Sequence, residues 1–332
     1  MKFSLRLNND LPVKDYITMA QAAESAGFDQ FWVSNDLFLR SAAVILTAVA
    51  AATERIEIGT CILNPYTINP AEIAMFAATL DEFSGGRFNL GLASGAKDFL
   101  KWIGIDPVKP RTTLVETINA INDLLNGNSH LHEGHFIRWT DEAYMRFQPQ
   151  RKVPIYIGAM SPNMLRSIGA VADGGLPLLF PPEHYQTVMP YIQEGARDAE
   201  RDMDAVDVAA CVWASVDEDA EAAKDALREK VAYYGRAMSP LILKQLDLSR
   251  DDFTEIENLV MVEKDMAAAK RLVTDKMLKI GIVGTTHDLI DRLEILAEMG
   301  VKHMSFGPPL GPNPLKAVQQ IGNDVIPHFR SK

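Results

Sequence analysis

The feature that most constrains this chain is a repeating alternation of short apolar strands and amphipathic helices. Lys2 to Leu7 alternates as a strand does. Val13 to Ala26 then places Tyr16, Ile17, Ala20, Ala23 and Ala26 near helical spacing and stops at Gly27. The same unit recurs as strand Gln30 to Val33 with helix Ala42 to Thr53, and as strand Ile56 to Ile62 with helix Ala71 to Phe83, which stops at Gly85-Gly86. Strand Phe88 to Ala93 follows, then helix Leu114 to Leu125, strand Pro154 to Ile157 and helix Pro162 to Ala172. The series continues through Leu176 to Phe180, Tyr185 to Arg201, Val206 to Ser215 and Ala220 to Tyr233. Helix Leu289 to Met299, strand His303 to Phe306 and a helix from Leu315 close it. Repeated units of this kind give parallel strands joined by right-handed crossovers, and about eight of them favour a closed barrel over an open sheet. The expectation is an α/β chain forming a single (β/α)8 TIM barrel over residues 1–332, with no linker to divide it.

Two segments break the rhythm, Asn126 to Arg151 and Met238 to Val283. Because barrel sites sit at the C-terminal ends of the strands, insertions are expected there, as βα-loops or caps. The second segment is the better lid candidate; the alternative is a helical pair packed outside the barrel.

Charge excludes one class of partner. Asp and Glu number 44 against 33 Lys and Arg, and the net charge of −11 would repel a phosphate backbone, so no nucleic-acid partner is expected. The longest apolar runs, such as Ser41 to Ala52, are too short to span a bilayer, and the N-terminus turns polar before a signal core forms. No membrane association is expected, and a soluble, cytoplasmic protein is. Cys61 and Cys211 lack metal-ligand spacing and fit a reducing compartment. His130, His132 and His135 cluster, but no catalytic zinc motif has that spacing, and Asn-Gly and Glu-Gly beside them read as a solvated loop. No metal is expected. Neither a Gly-x-Ser-x-Gly elbow nor a Gly-x-Gly-x-x-Gly fingerprint occurs at a strand-to-helix turn.

Several strings, taken in order, carry a family likeness. They are Gly59 to Tyr66, Asn69-Pro70-Ala71, Ala78 to Gly95, Pro154 to Ala159, Gly169 to Gly174 and Gly307 to Pro312. Together they resemble the luciferase-like monooxygenase superfamily, whose members bind a flavin or deazaflavin at the strand ends, and within it the methylenetetrahydromethanopterin reductase group most. The resemblance implies a bulge with a non-prolyl cis peptide between Cys61 and Ile62, lying against the back of the cofactor ring. Read from the residues alone, Cys61 and Ile62 make an ordinary buried barrel strand, which Asn64 and Pro65 end with turn chemistry.

Other strand ends admit paired readings. Ser94 and Gly95, within the Gly91 to Gly95 run, let backbone approach a ring closely, or they make a simple βα turn. Gly158 and Ala159 end a strand, and Ser161-Pro162 opens a helix as an N-cap serine followed by proline. Such an N-terminus can receive a cofactor phosphate, or the serine is a cap and nothing more. Against the reductase pattern, Arg6 stands where a proton-donating glutamate is expected, Ala96 where an aspartate is, and Asn35 and Asp36 where an Asp-His pair is. Loss of the acids makes pterin reduction doubtful. Arg6 can bind an anionic substrate or a flavin oxygen, or be an exposed strand-end arginine. Asp36 can act as a base or hydrogen-bond the ring, or cap a helix.

The function expected from sequence is therefore an oxidoreductase acting on a small organic molecule. Reduced FMN with oxygen, a monooxygenase supplied by a separate flavin reductase, is favoured. The alternatives are hydride transfer with the deazaflavin coenzyme F420, and a barrel that binds flavin without turnover. The resemblance also implies a homodimer, through helices beside the second and third strands.

Overall fold

Eight parallel strands close on one another in the computed structural model, which describes residues 1–129, 132–238 and 240–331. They are β1 (Lys2–Leu7), β2 (Gln30–Val33), β3 (Glu57–Thr60), β4 (Phe88–Leu92), β5 (Ile155–Ala159), β6 (Gly174–Pro177), β7 (Asp207–Val216) and β8 (His303–Leu310). Each pairs with the next, and β8 returns to β1 in the register Lys2↔His303. The structure thus has the (β/α)8 barrel that the sequence pattern implies.

Closing a barrel forces alternate side chains inward, where they must fill the space. On β2 the fully buried Trp32 lies across β3, and a methyl group on Gly59 would collide with its indole. On β5, Tyr156 occupies in the same way the space over Gly174 of β6. The two rings meet edge-on at 4.9 Å, and Leu176, Ala209 and Cys211 complete an apolar plug. The expected strand Leu176 to Phe180 therefore begins earlier, at Gly174. Glycine has poor strand propensity, but here it gives room to Tyr156 and, at Gly175, to Ile168.

Beneath the plug lies a polar layer. Asp207 Oδ2 accepts from Lys2 Nζ at 2.8 Å and from the Tyr156 hydroxyl at 2.9 Å, and His303 Nδ1 stands 3.0 Å from Asp207 Oδ1. Glu57 Oε2 accepts from Gln30 at 2.8 Å and Asn89 at 2.9 Å, while the Trp32 indole donates to Gln30 at 3.0 Å. Burial alone would raise the Asp207 pKa. The His303 hydrogen bond and charge and the Lys2 ammonium outweigh it and hold the carboxyl well below the usual aspartate range.

Outside the barrel run α1 (Val13–Ser25), α2 (Ala42–Ala52), α3 (Pro70–Phe83), α4 (Pro110–Leu125), α5 (Pro162–Val171), α6 (Tyr185–Asp198), α7 (Thr286–Glu298) and α8 (Pro314–Gln320). The helix Ala220–Tyr234, expected to be one of this ring, is not. Its Leu227 and Val231 belong to a second apolar core with Phe253, Ile256 and Leu278, whereas Leu289, Leu293 and Leu296 of α7 join the main core. The β7-to-α7 connection is thus one large insertion, residues 217–281, that starts with a capping helix. The lid expected at Met238 to Val283 is corrected accordingly. Among its described residues that segment contributes none to the strand-end cavity; it packs behind the capping helix and ends in the short strand Ile282–Gly284, which pairs with β7.

Asn126 to Arg151 also departs from expectation, since it joins a helix to a strand instead of a strand to a helix. It forms a small hairpin, His132–Glu133 with Arg138–Trp139, pinned by Glu116, whose carboxylate accepts from the backbone of His135, Phe136 and Ile137. Among the described residues no helix is long and apolar enough to cross a membrane.

Asp207 ties its own strand to three others, so Asp207→Ala should cost about 3 kcal/mol in urea unfolding, chiefly because it leaves the buried His303 and Tyr156 without their acceptor. A carboxyl whose folded pKa is depressed contributes stability above its unfolded pKa and loses it as pH falls. Wild-type stability should therefore drop below the ordinary aspartate range more steeply than that of the variant.

Candidate active site

A cavity of about 540 Å³ opens at the C-terminal strand ends, and it gathers all ten residues singled out from the sequence. Arg6, Asp36, Cys61, Ile62, Asn64, Ser94, Gly95, Gly158, Ala159 and Ser161 all line it. A larger cleft of about 790 Å³, between the start of α6 and the insertion, holds none of the strand-end groups.

The cavity's back wall is a bulge. β3 and β4 pair at Gly59↔Asn89 and again at Leu63↔Leu92, so β3 carries one residue more than its partner. The Cys61–Ile62 peptide in that bulge is cis. Thr60 Oγ1 clamps the junction, accepting from Gly91 N–H at 2.9 Å and donating to Gly91 O at 3.0 Å. Asn64 ends the segment as expected, its Oδ1 accepting from the Tyr66 and Thr67 amides at 3.2 and 3.1 Å. Gly95, at φ +76°, packs so closely that a Cβ there would lie 3.1 Å from Asn64. A Cβ on Gly158 would lie 3.0 Å from an Ile62 methyl group. The two glycines thus leave room for the Asn64 and Ile62 side chains to lie against the strand ends.

Ser161 precedes α5 with Pro162 in the first turn, but its hydroxyl makes no cap hydrogen bond. The capping role expected of it is corrected: the serine is exposed beside an N-terminus that its side chain leaves open. The capping alternative for Asp36 is corrected as well, because Asn35 Oδ1 does that work, accepting from Ala42 N–H at 3.0 Å as α2 begins. Asn9 brackets the loop by accepting from Asp36 N–H at 3.2 Å and donating to Asp36 O at 3.0 Å.

Asp36 is the sole carboxylate lining the cavity among the described residues. Desolvation, helped by Asp10, raises its pKa against the pull of Lys230. Burial pushes the Cys61 thiol up to about 12 and raises that of Cys211, so neither is a thiolate at neutral pH. Arg6 is only 9% exposed, which removes the reading of it as a solvent-facing arginine. Its Nε and one terminal nitrogen are buried without a hydrogen-bond partner, and Gly307 gives it room.

The opposite wall was not legible in the sequence. Trp213, at the upper end of β7, packs on Phe180 at 4.5 Å, and Lys230 of the capping helix lies over the Trp213 and Tyr234 rings at 5.1 and 5.3 Å. Burial and then Arg6 lower the Lys230 pKa to about 8, opposed by Asp10 and Asp36. One signal was available: Lys230 and Tyr234 are four residues apart and share a helix face.

The model of the family described as luciferase-like monooxygenase matches residues 2–303. The chain belongs to that family. A 5,10-methylenetetrahydromethanopterin reductase of Archaeoglobus fulgidus is 32% identical over 99% of this chain and all of its own length. A coenzyme F420-dependent glucose-6-phosphate dehydrogenase of Nakamurella multipartita is 27% identical, covering 94% of this chain and 91% of its own. Among solved structures, the coenzyme F420-dependent tetrahydromethanopterin reductase of Methanopyrus kandleri superposes with a TM-score of 0.94 at 30% identity, over 99% of both chains. Of the histidine cluster of this luciferase-like chain, His132 and His135 do not line the cavity. His132 stands 3.3 Å from Asp123, and His130 falls outside the described residues.

The opposed charges around Lys230 give a signed prediction. Amine labelling followed by mass spectrometry should find Lys230 half-reactive near pH 8, well below surface lysines. Asp36→Asn should lower that midpoint and Arg6→Met should raise it.

Proposed function

We propose that this protein is a coenzyme F420-dependent oxidoreductase that moves a hydride between the bound deazaflavin and a small organic substrate. What carries the reading is its whole-length likeness to F420-dependent relatives. Reduced FMN with oxygen, favoured from sequence, has only the breadth of the family model behind it and is set aside.

The residues present fit such a cofactor. A flat tricycle needs a wall whose side chains lie back, and beside the cis bulge at Cys61–Ile62, Gly95 and Gly158 give Asn64 and Ile62 room to do so. A phosphate-bearing tail needs backbone donors, and the uncapped start of α5 beside Ser161 offers them. When bound, the deazaflavin supplies the hydride chemistry. The chain's own groups do the rest. Cys61, Ile62, Asn64, Ser94 and Ala159 position the ring and its chain, and the aromatic wall of Trp213 and Phe180 excludes water. Asp36, with its raised pKa, takes up or releases the substrate proton at its carboxylate oxygen. Arg6, standing where the family likeness leads to a glutamate, fits a substrate other than a pterin.

Absorbance titration should show coenzyme F420 binding at least ~10-fold more tightly than FMN, equivalent to about 1.4 kcal/mol. With a panel of ketones, aldehydes and alcohols, turnover should proceed without oxygen uptake, and Asp36→Asn should lower kcat by about 10²-fold while leaving F420 affinity within twofold. Tighter FMN binding, or oxygen consumed in step with turnover, would overturn the assignment.

A further inference from the structure

Arg6 carries a charge that the chain itself does not answer. A guanidinium stays protonated at any physiological pH, and burying one is costly unless an acceptor meets it. Two of its nitrogens are buried without a partner, although the side chain is nine-tenths enclosed and borders the cavity. Asp36, the one lining carboxylate among the described residues, makes no ion pair with Arg6 within 4 Å, and the charges acting on it are those of Asp10 and Lys230. A second cation, Lys230, lines the same cavity, and the two charges oppose each other. Two cations lining one partly desolvated cavity favour an anion within it.

That place is distinct from the one suited to the cofactor's phosphate. The α5 N-terminus follows β5, which lies four strands from β1 in either direction around the barrel. The cavity thus has an anion-accepting point at each end, with the bulge at Cys61–Ile62 between them.

We propose that the substrate is an anionic organic molecule whose carboxylate or phosphate docks on the Arg6 guanidinium, with Lys230 as the second cation. This deepens the F420 reading and rests on it for the partner that fills the rest of the cavity. Beside Lys230 stand Trp213 and Tyr234, with Phe180 packed on Trp213, so the part of the substrate on that side is apolar. Arg6 offers this anion a permanent charge held in the cavity wall, whereas Lys230 adds a titratable point charge.

The test uses the full chain in low-chloride buffer, titrated calorimetrically with benzoate, phenyl phosphate and the neutral benzamide. At least one anion should bind ~10-fold or more tightly than benzamide, equivalent to about 1.4 kcal/mol, and the tighter of the two identifies the head group. Arg6→Met should erase that preference, and Lys230→Met should weaken it severalfold. Because Arg6→Met removes an unpaired buried charge, its Tm without anion should equal or exceed the wild-type value, and Arg6→Lys should keep part of the preference. Coenzyme F420 affinity, measured on the same samples, should stay within twofold in both methionine variants. Benzamide binding as tightly as both anions, undiminished anion binding in Arg6→Met, or loss of F420 affinity in that variant would each overturn the proposal. Anion binding at Arg6 in a protein with no affinity for F420 would support this site and sink the F420 reading alone.

Discussion

The structure depends on how the barrel fills its own centre. A closed ring of eight strands leaves a space that only inward side chains can occupy, and here two aromatic rings take most of it. Trp32 can do so because Gly59 faces it, and Tyr156 because Gly174 does. Their edge-on contact divides the interior into two halves of different character. Below it Asp207, Lys2 and His303 lock strand beginnings together; above it the strand ends are free to diverge into a cavity. The chemistry of the upper half rests on that partition, since a smaller residue at position 32 would open the cavity floor onto the buried charges.

Much of this was legible in the sequence, for identifiable reasons. Strands such as Lys2–Leu7 announce themselves because the side with Phe3, Leu5 and Leu7 joins the apolar core while the other, with Ser4 and Arg6, is polar though buried too, and the position of the Cys61–Ile62 bulge followed from a family likeness in the surrounding string. What escaped had conflicting local signals. Gly174–Pro177 is poor strand material whose glycines make sense only once Tyr156 and Ile168 are seen beside them. The helix Ala220–Tyr234 has the amphipathic pattern of a barrel helix, and nothing in its spacing says that its apolar face meets Phe253 and Leu278 instead of the barrel. Periodicity reports that a face is buried and is silent on what buries it.

Charge placement was harder to read than fold. Arg6 sits on an alternating strand where an arginine at the end is commonly exposed, and its burial depends on the room left by Gly307 three hundred residues later. Lys230 becomes half of a cationic pair only because the insertion folds back over the mouth. Neither fact is local, so neither is visible in a window of sequence.

The separate apolar core behind the capping helix has a consequence for how such a protein diversifies. Because Leu227 and Val231 are anchored on Phe253, Ile256 and Leu278, the wall that bears Lys230 and Tyr234 is mounted on its own foundation. Substitutions within that module can reshape which molecules are admitted while the closed ring of strands keeps its stability. Selectivity and robustness are thereby inherited through different stretches of the chain, and one can drift while the other is conserved.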